Sequence, residues 1–201
     1  MVNPFTKEAY FDFDLFRKHV GLAQRMMDDI IDLEMEKIDK IIEKIKSDPE
    51  TDEVKCTELN LWYKIQKRTL QGRRTGVGTT AEGDMIAALG LRYGTEEATD
   101  FSEKVHRSLA LAAYRSSVSM AKERGAFSIF DADREVDNPF IHRLKKEDEE
   151  LYRDMCKYGR RNIAVLTIAP TGSTSCSTQT TAGYATASMP VKRPPPYVHT
   201  K

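Results

Sequence analysis

The segment that most constrains the fold is an apolar run, Asn162–Ala169 (NIAVLTIA). Its large apolar residues occupy both odd and even positions, so a strand here would be buried on both faces. Such strands occur in sheets that helices cover, and those sheets are usually parallel. The run therefore predicts an α/β fold around a buried strand, and a second short buried strand is expected over Arg74–Thr79.

Most of the remaining chain is predicted to be helical. The first helix is expected to begin at Asp12 or Asp14 and to continue past Ile45, with Ile30 on its apolar face and Asp28 on its charged face. Capping residues and Gly or Pro stops predict further helices over residues 57–70, 81–89, 95–124, 139 onward and 147–158.

Composition excludes several classes of protein. The 201 residues contain 31 Lys+Arg and 31 Asp+Glu, so there is no basic excess for binding nucleic acid. No apolar run approaches the roughly 18 residues of a membrane span, and the N-terminus has no signal-peptide core. The three cysteines are far apart and lack metal-ligand spacing, which favours reduced thiols, a cytoplasmic location and no metal site.

Directly after the predicted strand comes a turn rich in hydroxyl groups. In helix-covered parallel sheets, ligands bind beyond the carboxyl ends of the strands. Pro170 ends the strand because it has no N–H, and Gly172 allows close backbone approach. Free N–H groups at the start of a helix would face a phosphate. The candidate phosphate-binding residues, called the hydroxyl turn below, are Ala169, Pro170, Thr171, Gly172, Ser173, Thr174 and Ser175. From the residues alone, an ordinary strand-to-helix turn is an equally good interpretation.

No residue is assigned to catalysis or to metal binding. Cys176 adjoins the hydroxyl turn, but no histidine is near it in sequence, so a small buried thiol is expected there. The four histidines are scattered along predicted helices and the tail, where surface or interhelical roles are expected.

Several motifs in order resemble class II, adenosylcobalamin-dependent ribonucleotide reductase. The resemblance covers roughly residues 1–183. The segments that carry it are Asn3–Phe5, Phe11–Asp14, Gly72–Gly78, Glu82–Met85, Leu89–Gly94, Ala121–Gly125, Asn138–Ile141 and Tyr158–Gly172.

The resemblance implies a fold and a function. It implies a partial catalytic barrel domain over residues 1–183, taken from a ten-stranded α/β barrel and predominantly helical in this piece. It implies a ribonucleoside-diphosphate reductase, which uses a thiyl radical and adenosylcobalamin to make 2′-deoxyribonucleotides. The hydroxyl turn would bind substrate phosphates. The expected partners are a ribonucleotide, the missing N-terminal barrel half, a thiol reductant such as thioredoxin, and a second copy in a homodimer.

The sequence also departs from that family. The finger-loop motif Asn-Pro-Cys-Gly-Glu is missing, and both Asn-Pro pairs are followed by Phe. Residues 184–201 do not resemble the family and are expected to be a disordered or frameshifted tail. A fragment inactive on its own is therefore expected. The alternatives are a non-catalytic phosphate-binding or interaction module, and a helical scaffold that binds no ligand.

Overall fold

The computed structural model describes residues 1–181; the predicted tail, residues 184–201, lies outside the described residues. Within residues 1–181 the secondary structure is predominantly helical, as predicted for this part of the α/β barrel. The helices are α1 Phe13–Ser47, α2 Asp52–Gly72, α3 Glu82–Ala88, α4 Glu96–Arg124, α5 Pro139–Glu147, α6 Glu149–Tyr158 and α7 Gly172–Thr178, with a 3₁₀ turn at Asp133–Glu135.

The chain divides into two compact units. Among the described residues, the first unit contains Met1–Asp14, Gly78–Arg107 and residues 168–181, and the second contains Leu15–Val77 and Ser108–Thr167. The hydroxyl turn belongs to the first unit. The predicted buried strand belongs to the second, except for its last two residues.

The core of the second unit is formed by helices and two extended segments. Asn138 caps α5 by accepting a hydrogen bond from the N–H of Phe140, with Pro139 in the first turn, as predicted. Asp148 caps α6 in the same way. The buried residues packed together are Val20, Val77, Leu109, Ala112, Ala113, Tyr114, Val118, Ile141, Leu144, Leu151, Met155 and Val165.

The buried face of α1 differs from the predicted one. Asp28, expected on the charged face, is fully buried, whereas Ile30, expected on the apolar face, is 59% exposed. The face is rotated because cationic and amide side chains distant in sequence surround Asp28 and offset the cost of burying its charge. The residues buried along α1 are Val20, Gln24, Asp28, Ile31, Ile38, Ile42 and Ile45.

The predicted strands do not form as regular strands among residues 1–181. The two segments run parallel but share a single bridge, between Val77 and Leu166. The carbonyls of both Ala164 and Val165 accept hydrogen bonds from the neighbouring segment, at Thr75 and Val77 respectively. Successive carbonyls of a regular strand point to opposite sides, so this register shift of one residue interrupts the ladder.

Gly76 marks a close approach between these two segments. A Cβ at position 76 would lie 2.7 Å from Cγ2 of Thr167, so a larger residue here would force the side chain of Thr167 to move. The link before α2 is shorter than predicted, since α2 begins at Asp52 and not near Thr57. Asp52 and Glu53 favour that earlier start because their charges complement the N-terminal end of the helix dipole.

In the first unit, the N-terminal residues fold back on themselves. Val2 and Tyr10 form an antiparallel bridge, and the rings of Phe11 and Phe13 contact each other and Phe101. Helix α3 ends before Gly90, and α4 ends before Gly125, as predicted. Both glycines have positive φ, which glycine adopts without steric cost.

Candidate functional site

The hydroxyl turn forms the exposed entry to α7. Ala169 and Pro170 are exposed and have no regular structure, Thr171 is half-buried at the N-cap position, and the helix begins at Gly172. The N–H groups of the first helical residues have no acceptor within the helix. Gly172, Ser173 and Thr174, which carry these N–H groups, are exposed residues.

Ser175 differs from the other hydroxyl residues of the turn. It is buried, and its N–H donates to the carbonyl of Thr171 at 2.8 Å. Its Oγ donates to the carbonyl of Gly172 at 2.7 Å. Ser175 therefore stabilises the turn from its buried side, and Ser173 and Thr174 are the exposed hydroxyl residues of the turn.

Gly172 lies beside open space. Its backbone does not have the positive φ that favours glycine, and a Cβ built on it would have no atom within 4 Å. Neither the fold nor the local packing therefore requires glycine at this position. A side chain added there would occupy only the open space beside the turn.

A threonine outside the predicted site supports the turn. Oγ1 of Thr80 donates to Oγ1 of Thr171 at 3.1 Å. The N–H of Ala81 donates to the carbonyl of Thr181 at 3.2 Å, and the N–H of Thr181 donates to Asp84 at 2.7 Å. Both ends of α7 are thus tied to the start of α3. Sequence reasoning missed Thr80, whose only signal is its place among Gly and Thr residues before a helix.

Glu82 is a second buried group that the sequence analysis did not single out. Its side chain accepts a hydrogen bond from Ser102, and its Oε2 lies 3.7 Å from Nε2 of His106. Nδ1 of His106 lies 2.9 Å from the carbonyl of Ser102, which can only accept, so this nitrogen carries a proton. These contacts join α3 to α4 within the first unit.

The cysteines and histidines are placed mostly at the surface. Cys176 is exposed, so the prediction of a buried thiol is wrong. Ser175 takes the inward position on α7, and a step of 100° along the helix turns the next residue outward. Cys56 and Cys156 are also exposed and free, and His19 and His142 are exposed. His199 lies outside the described residues.

In the second unit, a buried polar network surrounds Asp28. This Asp28 cluster consists of Gln24, Asp28, Arg73, Arg161 and Asn162. Oδ1 of Asp28 accepts from Arg73 at 2.8 Å and from Asn162 at 2.8 Å, and Oδ2 accepts from Arg161 at 3.2 Å. Burial alone would raise the pKa of Asp28, but the hydrogen bonds and charges of its partners outweigh burial and lower it.

Three neighbouring carboxylates in this region, Asp28, Asp29 and Asp32, lie close enough together to suggest a metal site. Arginines already hold all three. Arg73 contacts Asp28 and Asp32, each at 2.8 Å, and Arg124 contacts Asp29 at 2.6 Å. Ion pairs therefore explain the acidic group without a metal ion.

Comparison with known proteins places the chain in a family. A family model described as ribonucleotide reductase, barrel domain, matches residues 1–193. A vitamin B12-dependent ribonucleoside-diphosphate reductase of Mycobacterium tuberculosis is 27% identical over 173 residues, which cover 86% of this chain and 19% of that protein. Its counterpart in Thermoplasma acidophilum is 26% identical over 164 residues, covering 82% of this chain and 16% of the relative.

A third relative carries a different name. The ribonucleoside-diphosphate reductase subunit alpha of Treponema pallidum is 27% identical over 114 residues, covering 55% of this chain and 14% of the relative. The chain spans less than a fifth of the length of each of these three relatives.

No helix among residues 1–181 is long and apolar enough to cross a membrane. Because the family model matches nearly the whole chain, and vitamin B12-dependent relatives confirm the resemblance in its motifs, this chain belongs to the ribonucleotide reductase barrel-domain family.

Proposed function

We propose that this chain is part of the catalytic barrel of a ribonucleoside-diphosphate reductase and that its hydroxyl turn binds the phosphates of the substrate. The relatives are named as ribonucleoside-diphosphate reductases, whose reaction converts ribonucleotides to 2′-deoxyribonucleotides. In this proposal the chain contributes one piece of a ten-stranded barrel. The two parallel segments around Val77 and Leu166 are the start of its sheet.

The observation that carries the proposal is the open turn at the start of α7. The first helical N–H groups and the hydroxyls of Ser173 and Thr174 lie at an exposed surface, beside the empty space at Gly172. Backbone N–H groups and hydroxyls are donors, and phosphate oxygens are acceptors. The geometry of this surface therefore suits an anion better than a cation.

The turn would position the substrate and would take no part in bond breaking. Residues 169–181 contain no Lys, Arg or His, so neutral donors alone would hold the phosphates. Thr171 is tethered by Thr80, and Ser175 is bonded within its own helix, so both maintain the geometry of the donors. Holding a substrate at one end orients its other end, which is a recognised source of rate enhancement.

The rest of the reaction would come from outside this chain. None of its three cysteines stands in the Asn-Pro-Cys-Gly-Glu context of a radical cysteine. Adenosylcobalamin would supply the radical when bound. The groove of about 480 Å³ beside Lys46, Cys56 and Tyr63 does not suit this cofactor, because it is open and has no histidine in its lining. We therefore propose that another barrel segment holds this cofactor. In the same proposal, a thiol reductant such as thioredoxin returns the enzyme to its reduced state, and the enzyme works as a cytoplasmic homodimer.

Replacement of Gly172 by valine tests the turn. We expect Gly172→Val to weaken binding of a ribonucleoside diphosphate by at least about tenfold, because the side chain fills the space of the phosphate. Calorimetric titration with ADP and with inorganic pyrophosphate measures the effect. Parallel losses for both ligands would locate the contact at the phosphates and not at the nucleoside.

Ser177→Val, near the exposed C-terminal end of α7, is the matched control, and it should leave binding unchanged. Equal affinities of Gly172→Val and wild type would remove the turn from the site. Activity is tested separately, by assaying deoxyribonucleotide formation with adenosylcobalamin and a dithiol. Turnover by this chain alone would contradict its proposed role as one piece of the barrel. Nucleotide binding without turnover, even after a complementary barrel segment is added, would favour a non-catalytic phosphate-binding module.

A further inference from the structure

Two neighbouring residues at the start of α3 destabilise the folded state. Ala81 has φ 61° and ψ 29°, a left-handed conformation that a residue with a Cβ rarely adopts. Glu82 is only 4% exposed, and its Oε2 accepts no hydrogen bond from any of residues 1–181. A buried carboxylate oxygen without a hydrogen bond is costly, as is backbone strain, and such features are concentrated at functional sites.

The side chain of Glu82 is held from α4. The hydroxyl of Ser102 donates a hydrogen bond to Oε1 of Glu82. On the other side of the carboxylate, Oε2 lies 3.7 Å from Nε2 of His106, which is beyond hydrogen-bond distance. The bond from Ser102 therefore fixes the first residue of α3 to a long helix of the same compact unit.

Glu82 lies at the centre of the segment that supports the hydroxyl turn. Thr80 contacts Thr171 at the N-terminal end of α7, and Ala81 and Asp84 both bond to the backbone of Thr181 beyond its C-terminal end. All these supports come from residues 80–84. A displacement of Glu82 would therefore move the supports at both ends of α7 together.

We propose that Glu82 is a positioning residue for the hydroxyl turn. The bond from Ser102 fixes Glu82, and Glu82 fixes residues 80–84, which hold the exposed donors of Ser173 and Thr174 in place for a phosphate. This inference rests on the proposed binding of phosphates at the turn. Glu82 itself touches no ligand in it.

The charge of Glu82 makes positioning distinguishable from simple electrostatics. Like charges repel, so removal of a carboxylate near the turn would by charge alone strengthen the binding of a phosphate. Positioning predicts the opposite result, because the donors of the turn lose their fixed geometry when Glu82 loses its bond to α4. The sign of the change in affinity therefore separates the two effects.

The double variant Glu82→Leu/Ser102→Ala tests the proposal. It removes both partners of the hydrogen bond and the buried oxygen that lacks one, so we expect a free energy of unfolding at least equal to that of wild type. Affinity for inorganic pyrophosphate and for ADP should nevertheless fall at least about fivefold. Urea unfolding and calorimetric titration of the full chain measure the two quantities.

Glu82→Gln is the conservative variant that should restore binding. Its amide oxygen can still accept the hydrogen bond from Ser102, and it lacks the negative charge, so affinity should equal or exceed that of wild type. Glu97→Leu, at an exposed carboxylate in the first turn of α4, is the matched control for the loss of charge. It should leave affinity within about twofold of wild type.

Three results would overturn the role of Glu82. They are unchanged or tighter binding by the double variant, a parallel loss of stability and affinity in it, and a loss in Glu82→Gln as large as in the double variant. If wild type binds and Gly172→Val weakens binding, these results reject the role of Glu82 and leave the phosphate site intact. If wild type binds neither pyrophosphate nor ADP, both proposals fail.

Discussion

The Asp28 cluster and the hydroxyl turn are both rich in polar groups, but their hydrogen bonds end in different places. In the cluster, both oxygens of Asp28 are occupied by side chains of the same unit, and no ligand could reach them. In the turn, the donors of Gly172, Ser173 and Thr174 lie at the surface. The comparison teaches that polar side chains satisfied within the fold stabilise it, whereas donors that the fold supports but leaves exposed are suited to a ligand.

Removing the carboxylate of Asp28 should produce the largest effect. Asp28→Ala leaves Arg73 and Arg161 without their central partner inside the protein, and we expect a loss of about 3–5 kcal/mol in the free energy of unfolding. Denaturation with urea measures it. Asp29→Ala, which removes a half-exposed carboxylate one residue away, should cost less than about 1 kcal/mol. Similar losses for the two variants would mean that the buried cluster is no more important than a surface ion pair.

Acid should affect the same cluster through protonation of Asp28. Because the pKa of Asp28 is lowered in the folded state, its carboxylate stabilises the protein above the ordinary value of 3.8. That contribution is lost as the pH falls through 3.8 toward the lower pKa of the folded state. Urea unfolding at a series of pH values from about 6 downward should show this loss in wild type. In Asp28→Asn the acid-dependent loss should be smaller, and equal pH profiles would contradict the assignment.

The smallest effect is expected at the support of the hydroxyl turn. Thr80→Val keeps the shape of the side chain but removes the hydrogen bond to Thr171. We expect a cost of about 1 kcal/mol in stability and a fall of a few-fold in affinity for a nucleoside diphosphate. Thr99→Val, on the exposed start of α4, is a control with the same chemical change. A loss of affinity equal to that of Gly172→Val would mean that Thr80 contacts the ligand itself.

Local patterns predicted the helices well. Gly90, Gly125 and the Asn138-Pro139 pair end or begin helices as predicted, because each acts on neighbouring backbone groups. The hydroxyl turn was also identified from sequence, since Pro and Gly mark the break before α7. Thr80 was not identified, because its contact with Thr171 joins residues 91 positions apart.

The buried face of α1 shows the limit of such patterns. A residue scale assigns Asp28 to the surface and Ile30 to the core, and both assignments are wrong. Arg73, Arg161 and Asn162 reverse them, because their hydrogen bonds compensate for the removal of the Asp28 charge from water. No local sequence pattern near Asp28 predicts these partners.

The sequence by itself determined the helical character of the chain, the position of the hydroxyl turn and, through its ordered motifs, membership of the ribonucleotide reductase barrel-domain family. Those features depend on neighbouring residues and on motif order. Only the tertiary structure decided which polar residues are buried, that Ser175 turns inward while Cys176 is exposed, and that the apolar segments pair through one bridge. These outcomes depend on partners distant in the chain, and whether a polar or apolar group is stable at a position depends on what surrounds it after folding.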